Sequence, residues 1–343
     1  MVKPRVVLDV DTGIDDAAAL LWAATAEEVE IVAATATWGN CDVDQAARNT
    51  RTVLDAAGCD VPVHVGADVA EGPAPEGAPA AMLMGADGLG DAGVVASKRP
   101  LESEDAAAAI VRLARAAPGS LTLVCVAPLS TLASALAAEP DLPSLLAGIT
   151  VMGGAISDGG NLTAAADANF GHDPVAAAAV IDAFGRPNAL ASGQAPRLVP
   201  LDVTVAATFG PEEMAALADS ALAGTDLLHT VLAAIWDLGV LETGGAGLAL
   251  HDLLAIWSLT NPRAFGWESL PLTIDTAGGA AWGATVADRR VRLMDAADLD
   301  PELRRTLEQA IGVVPTRWDV AMSVDADAFR SGLHAWLTGT PSR

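Results

Sequence analysis

Apolar and polar positions follow two regimes along the first two thirds of the chain. Nearly continuous apolar runs at 5–10, 30–37, 61–65, 120–127 and 148–152 predict strands covered on both faces. Alanine-rich stretches at 15–26, 43–57, 103–116 and 129–138 predict the helices between them. Asp173-Pro174 opens a further helix over 173–184, with an N-cap and a first-turn proline. Strands separated by helices predict an α/β fold, an open and mostly parallel central sheet flanked by helices. Further on, 211–238 and 251–260 predict helices, 270–276 and 284–293 a strand pair, and 325–338 a closing helix. The glycine- and proline-rich stretch 71–91 has weak periodicity, and in an α/β enzyme so long a loop predicts a lid or binding loop. No repeat or charged linker divides the 343 residues, so one domain is expected, with a mainly helical excursion at about 205–250.

Composition narrows the functional classes. The chain carries 44 acidic and 19 basic residues, a net charge of −25, and 52% hydrophobic residues. That hydrophobicity excludes disorder as the main state. Nucleic acid and anionic lipid both require a basic footprint, and the basic residues do not cluster, so neither is an expected partner. The apolar run at 17–26 falls well short of the roughly 20 residues of a membrane span. The opening residues lack the pattern of a signal peptide, so a cytoplasmic location is expected. Cys41, Cys59 and Cys125 have no metal-ligand spacing and predict reduced, buried thiols.

The most informative segment is Asp9-Val10-Asp11-Thr12-Gly13-Ile14-Asp15-Asp16. Asp9 and Asp11 share a face of a strand, Gly13 permits a tight turn, and Asp15 and Asp16 open a helix whose dipole favours negative charge. Open α/β sheets bind ligands at the carboxyl ends of their strands. Four carboxylates at one such corner repel one another unless a cation lies among them, and oxygen ligands select Ca²⁺ or Mg²⁺. Two other readings stand beside this one. The acids can be taken as a solvated capping turn, which suits two aspartates better than four. The segment also resembles the nucleophile loop of haloacid dehalogenase-type phosphatases, with Asp9 attacking phosphorus and Mg²⁺ assisting. That chemistry wants a lysine, and the chain has only Lys3 and Lys98.

Further segments fall at predicted strand ends and helix starts: Thr37-Trp38-Gly39-Asn40, Val126-Ala127-Pro128-Leu129-Ser130, Met152-Gly153-Gly154, Gly160-Asn161-Leu162-Thr163, Asp167-Ala168-Asn169-Phe170 and His251-Asp252-Leu253-Leu254-Ala255. In this order, over roughly 5–293, the chain resembles the inosine–uridine-preferring nucleoside hydrolases. The resemblance implies a Rossmann-like fold and hydrolysis of a ribonucleoside, or a close analogue, to free base and ribose. It implies Ca²⁺ held by Asp11, Asp16 and Asp252 and by a backbone carbonyl matching Ser130, with Asp9 in support. It places Asp15, Asn40, Met152, Asn161, Asp167 and Asn169 around the sugar, and His251 facing the leaving base. It also implies a homo-oligomer, a dimer or tetramer.

The residue chemistry agrees. Cleaving an N-glycosidic bond passes through an oxocarbenium-like sugar and needs an activated water and a stabilised leaving group. Ca²⁺ lowers the pKa of its water, and Asp11 can take the proton as general base. Neutral amides suit a diol because they donate and accept, and a histidine can protonate a departing base near neutral pH. A ribosyl-binding protein without turnover is the non-enzymatic alternative. The chain departs from the family pattern at Thr12 (commonly Pro), Met84 (often His) and Asp167 (usually Glu), and it has no tyrosine. These changes spare the metal and ribose shells and fall mostly on the base side.

Overall fold

The computed structural model describes residues 3–76, 80–293, 299–312 and 316–339. Its main sheet has eight strands: β1 Arg5–Val10, β2 Glu30–Ala36, β3 Val63–Val65, β4 Leu121–Cys125, β5 Gly148–Met152, β6 Arg197–Val199, β7 Phe265–Leu270 and β8 Trp318–Val324. Their order is β3-β2-β1-β4-β5-β6-β8-β7. Every neighbouring pair is parallel except β8 and β7. The α/β expectation is met.

Side-chain alternation divides β1 between two cores. Val6, Leu8 and Val10 enter one apolar layer with Trp22 and Leu254, while Val7 joins Leu121 and Leu123 in the other. Asp9 is therefore fully enclosed, with Thr35 and Cys125 beside it in register on the flanking strands. Strand order runs outward from β1 in one direction and from β4 in the other, so their C-terminal ends form a switch-point crevice.

The Ile14–Thr25 helix leaves β1 and packs against the His251–Trp257 helix, bringing a late segment onto the first turn of the chain. Alanines at 17, 18, 19 and 23 are buried and permit close approach.

Several elements depart from the sequence reading. The 211–238 stretch forms two helices, Pro211–Ala218 and Thr225–Glu242, parted at Gly224 with φ +87°. The 270–276 strand is cut by Pro271, which has no N–H for a ladder. Leu270 ends β7, and Leu272–Ile274 pairs separately with Thr285–Ala287. β6, β8, all of β7 but Leu270, and the Pro301–Ile311 helix lie outside the predicted elements. Residues 77–79 of the expected loop lie outside the described residues. Its later part is tied down: Asp87 Oδ1 accepts from Leu89 N and Asp91 N, and Asn49 Nδ2 donates to Asp87 O. Cys125 is buried, but Cys41 and Cys59, expected buried, are half-exposed; all three are free thiols. Among the described residues no helix is long and apolar enough to cross a membrane.

Candidate active site

The crevice is built from the end of β1 outward. Asp11 leaves the strand, and its backbone N donates to Asp16 Oδ1 at 3.2 Å. Gly13 N donates to Asp16 Oδ2 at 2.9 Å, so Asp16 closes the first turn of its own helix. Asn40, after β2, donates its backbone N to Asp11 Oδ2 at 2.8 Å and its Nδ2 to Asp16 Oδ2 at 3.1 Å. Two glycines allow this. A Cβ on Gly39, whose φ is +155°, would lie 2.0 Å from Asp11 Oδ2, and one on Gly13 would lie 2.7 Å from Asn40 Nδ2. Thr12 bonds Thr50 through paired hydroxyls at 2.6 Å.

Asp252, on the first turn of the His251–Trp257 helix, joins from the far end of the chain. Asp15, Asp16 and Asp252 each bring a carboxylate oxygen into one group within 4.8 Å. That trio differs from the predicted Asp11, Asp16 and Asp252: Asp15, read as a sugar ligand, lies inside it, and Asp11 borders it. Asp11 Oδ1 is buried without a partner.

The electrostatics are severe. Burial, then the Asp16 charge, pushes Asp11 well above the ordinary carboxylate range. Burial, then Asp15, pushes Asp16 up to about 7. Burial, then the charges of Asp15, Asp16 and Asp11, raises Asp252 well above that range too. Asp9, held by Thr35 Oγ1 at 2.7 Å and orphaned at Oδ2, is raised by burial to about 7. Among the described residues no arginine or lysine lines the crevice to offset this charge.

Two adjoining cavities share Asp15, Met84 and His251. The polar one is lined also by Asn40, Val126, Met152, Asn161, Asp167, Ala168, Asn169 and Asp252, which includes every residue predicted to surround the sugar. Asn169 Nδ2 donates to Val126 O and Met152 O, both at 3.1 Å. Asp167 Oδ2 caps Asn169 N at 3.0 Å, its Oδ1 is buried and unpartnered, and burial raises its pKa to about 6. Asn161 Oδ1 accepts from Ala168 N at 2.9 Å. The second cavity is walled by Ile14, Leu83, Ile235, Leu238, Leu248 and Leu250, and among its polar side chains are only Asp15 and His251.

Ser130 stands apart from this assembly. Its side chain is fully buried, donating to Asp173 Oδ2 at 2.7 Å and accepting from Trp38 Nε1 at 3.2 Å, and it lines neither cavity. Val126, four residues earlier and at the strand end, is the member of that motif that reaches the sugar-side wall. A backbone carbonyl has no side-chain signature, so the sequence alone points to the motif and not to the residue. Asp9 also lines neither cavity, which removes the nucleophile the phosphatase reading requires, and Lys98 is on the surface.

Two supports have no counterpart in the sequence reading. Both belong to the one-turn helix Leu201–Thr204 that follows β6. Asp202 accepts from Ile156 N, Ser157 N and Asp158 N at 2.7, 2.6 and 3.0 Å, securing the loop that leads to Asn161. Thr204 Oγ1 lies 2.7 Å from His251 Nδ1.

An acid-ringed crevice at the switch point, with amides set beside it, marks a sugar-handling α/β enzyme. Comparison with known proteins gives the class its name. The family model for inosine-uridine preferring nucleoside hydrolase matches residues 6–331, and the chain belongs to that family. It is 31% identical over 329 residues to the non-specific ribonucleoside hydrolase RihC of Salmonella schwarzengrund (strain CVM19633), covering 95% of each chain. It is 29% identical to a probable uridine nucleosidase 1 of Oryza sativa subsp. japonica, covering 84% of this chain and 86% of that one. Among solved structures, a purine-preferring ribonucleoside hydrolase from Gardnerella vaginalis superposes with a TM-score of 0.82 at 25% identity, covering 98% of each chain. A plant nucleoside hydrolase shares the fold with a TM-score of 0.83 at 23% identity, covering 98% of this chain and 99% of that one. The chain is an N-ribohydrolase, acting on the N-glycosidic bond of a ribonucleoside.

Proposed function

We propose that the enzyme is Ca²⁺-dependent, with the cation held by Asp11, Asp16, Asp252 and the Val126 carbonyl, and with Asp15 at the boundary between cation and sugar diol. The observation that carries this is the group of Asp15, Asp16 and Asp252 beside the orphaned Asp11 Oδ1, all buried and, among the described residues, with no arginine or lysine lining the crevice. Hard oxygen donors of this kind fit calcium or magnesium, and Ca²⁺ accepts an irregular shell more readily than octahedral Mg²⁺. When bound, the cation offsets the carboxylate repulsion and supplies Lewis acidity at the sugar.

The side chains divide the remaining work. Asp11 takes a proton from the attacking water. Asp15, Asn40, Asn161 and Asn169 grip the ribose hydroxyls, and Asp167 holds its 5′ end. The ring of carboxylates favours the positive charge that develops on the sugar. His251 donates a proton from Nε2 to the departing base, since Nδ1 is engaged by Thr204. The apolar cavity reads the base by shape more than by its hydrogen-bonding edge, so we propose loose base selectivity, in keeping with the relative named as non-specific.

The test is reducing-sugar release from a panel of purine and pyrimidine nucleosides, after chelation and after Ca²⁺ is returned. Recovery with Ca²⁺ and release from both base classes are expected. Full activity in chelator would refute the metal assignment, and binding without release would favour a ribosyl-binding protein. Asp11→Asn should keep the fold and lose roughly 10²–10⁴-fold in rate; wild-type turnover would remove Asp11 from the chemistry.

A further inference from the structure

The imidazole of His251 is held from behind by a residue that lines neither of the two cavities. Thr204 Oγ1 lies 2.7 Å from His251 Nδ1 and 3.2 Å from Leu201 O. Thr204 is fully buried, so no water replaces either contact. A hydroxyl has one hydrogen, and a carbonyl can only accept. Once that hydrogen is given to Leu201 O, the bond to the ring runs from Nδ1–H to Oγ1. Any ring able to donate a proton to a leaving group from Nε2 while keeping Nδ1–H needs an acceptor at this point, and Oγ1 is that acceptor.

The hydroxyl is well fixed. Thr204 ends the turn Leu201–Thr204, with Pro200 O accepting from both Val203 N and Thr204 N, and Leu201 N donating to Gly154 O. The turn packs against the His251–Trp257 helix. His251 itself is the first residue of its helix, after Leu250 in a non-helical conformation, so its own backbone fixes the ring weakly.

We infer that Thr204 is a positioning residue for the leaving-group side of the reaction: its hydroxyl, anchored on Leu201 O, accepts from Nδ1 of His251 and keeps Nε2 turned to the aglycone cavity. This rests on the reading of His251 as the leaving-group acid, and it adds the group that sets the ring's tautomer and angle. Thr204→Val keeps the shape and removes the acceptor, leaving Nδ1–H opposite a methyl group.

The experiment uses the full-length, Ca²⁺-loaded enzyme with two substrates, a natural ribonucleoside and 4-nitrophenyl riboside, whose leaving group needs no proton. Thr204→Val should lower kcat on the nucleoside by roughly ten- to a hundredfold, with KM and the nitrophenyl reaction within about twofold of wild type. Thr204→Ser should restore kcat to within about threefold. The double variant Thr204→Val/His251→Ala should be no slower than His251→Ala alone. Equal loss on both substrates, no loss on either, or an additive double variant would overturn the assignment. If His251→Ala shows no leaving-group selectivity, the acid reading falls and this inference with it. If His251→Ala is selective and Thr204→Val is silent, only this inference falls. Ring-nitrogen NMR of ¹⁵N-histidine-labelled wild type gives a check that needs no variant to fold: neutral His251 should carry its proton on Nδ1, and an Nε2–H tautomer would refute the arrangement.

Discussion

Asp9→Asn offers a direct measure of what it costs to bury a carboxyl beneath the crevice. Burial raises the Asp9 carboxyl from 3.8 to about 7, with the Thr35 bond only partly opposing it. The native state therefore keeps a proton that the unfolded chain releases near pH 4. The stabilisation tied to that proton is complete below pH 3.8 and is lost as pH rises through 7. Each tenfold change in proton affinity is worth about 1.4 kcal/mol, so the part lost between pH 5 and pH 8 is about 2–3 kcal/mol. Asp16 acts in the same direction, and His172, whose pKa burial lowers, acts in the opposite one below its ordinary 6.5. Subtracting wild type from Asp9→Asn cancels both. Asparagine is neutral throughout and still accepts from Thr35, so its constant cost of packing drops out of the pH trend. Urea unfolding in chelator at pH 5, 6, 7 and 8 should show the variant gaining on wild type by about 2–3 kcal/mol across that range. A difference that stays flat, or that shrinks as pH rises, would refute the account of Asp9 as a buried acid raised by desolvation. Added Ca²⁺ should stabilise wild type most at pH 8, where the cation has fewest protons to displace.

Gly39→Ala places a methyl 2.0 Å from Asp11 Oδ2 and displaces the carboxylate from Asn40 N. It should cost about 2–4 kcal/mol in stability and lower kcat/KM by roughly a hundredfold, read by thermal unfolding and sugar release. Near-native values on both would show that the backbone there adjusts freely. Asp202→Ala strips three backbone donors of their acceptor and loosens the loop that carries Asn161. KM should rise about tenfold with kcat little changed; an unchanged KM would show the loop holds its shape without the aspartate.

The sequence reveals the fold best where strands are interior. Val6, Val7, Leu8 and Val10 are all buried, and the resulting apolar run, interrupted only by Asp9, marks β1 clearly. The far side of the sheet is harder to read. β6 has three residues, and β7 (Phe-Gly-Trp-Glu-Ser-Leu) is an edge strand whose glycine and glutamate blur any period. The carboxylates of the crevice are legible because four acids on a strand, turn and helix are poor candidates for mere solvation. What is not legible depends on geometry with no compositional mark. The Val126 main chain, the orphaned Asp11 Oδ1 and the Thr204 hydroxyl acquire their meaning only from neighbours more than 40 residues away along the chain or from burial.

The pairing of the Ile14–Thr25 helix with the His251–Trp257 helix has a consequence for how the molecule assembles. During synthesis the first βα units can form with Asp11 and Asp16 still bathed by solvent, each keeping its own hydration. Only docking of the late helix confines Asp252 with them. That docking adds a further carboxylate to those already gathered at the end of β1. Docking of the late helix should therefore quicken as pH falls or as a divalent cation is added, so that refolding of this enzyme carries the imprint of its reactive centre.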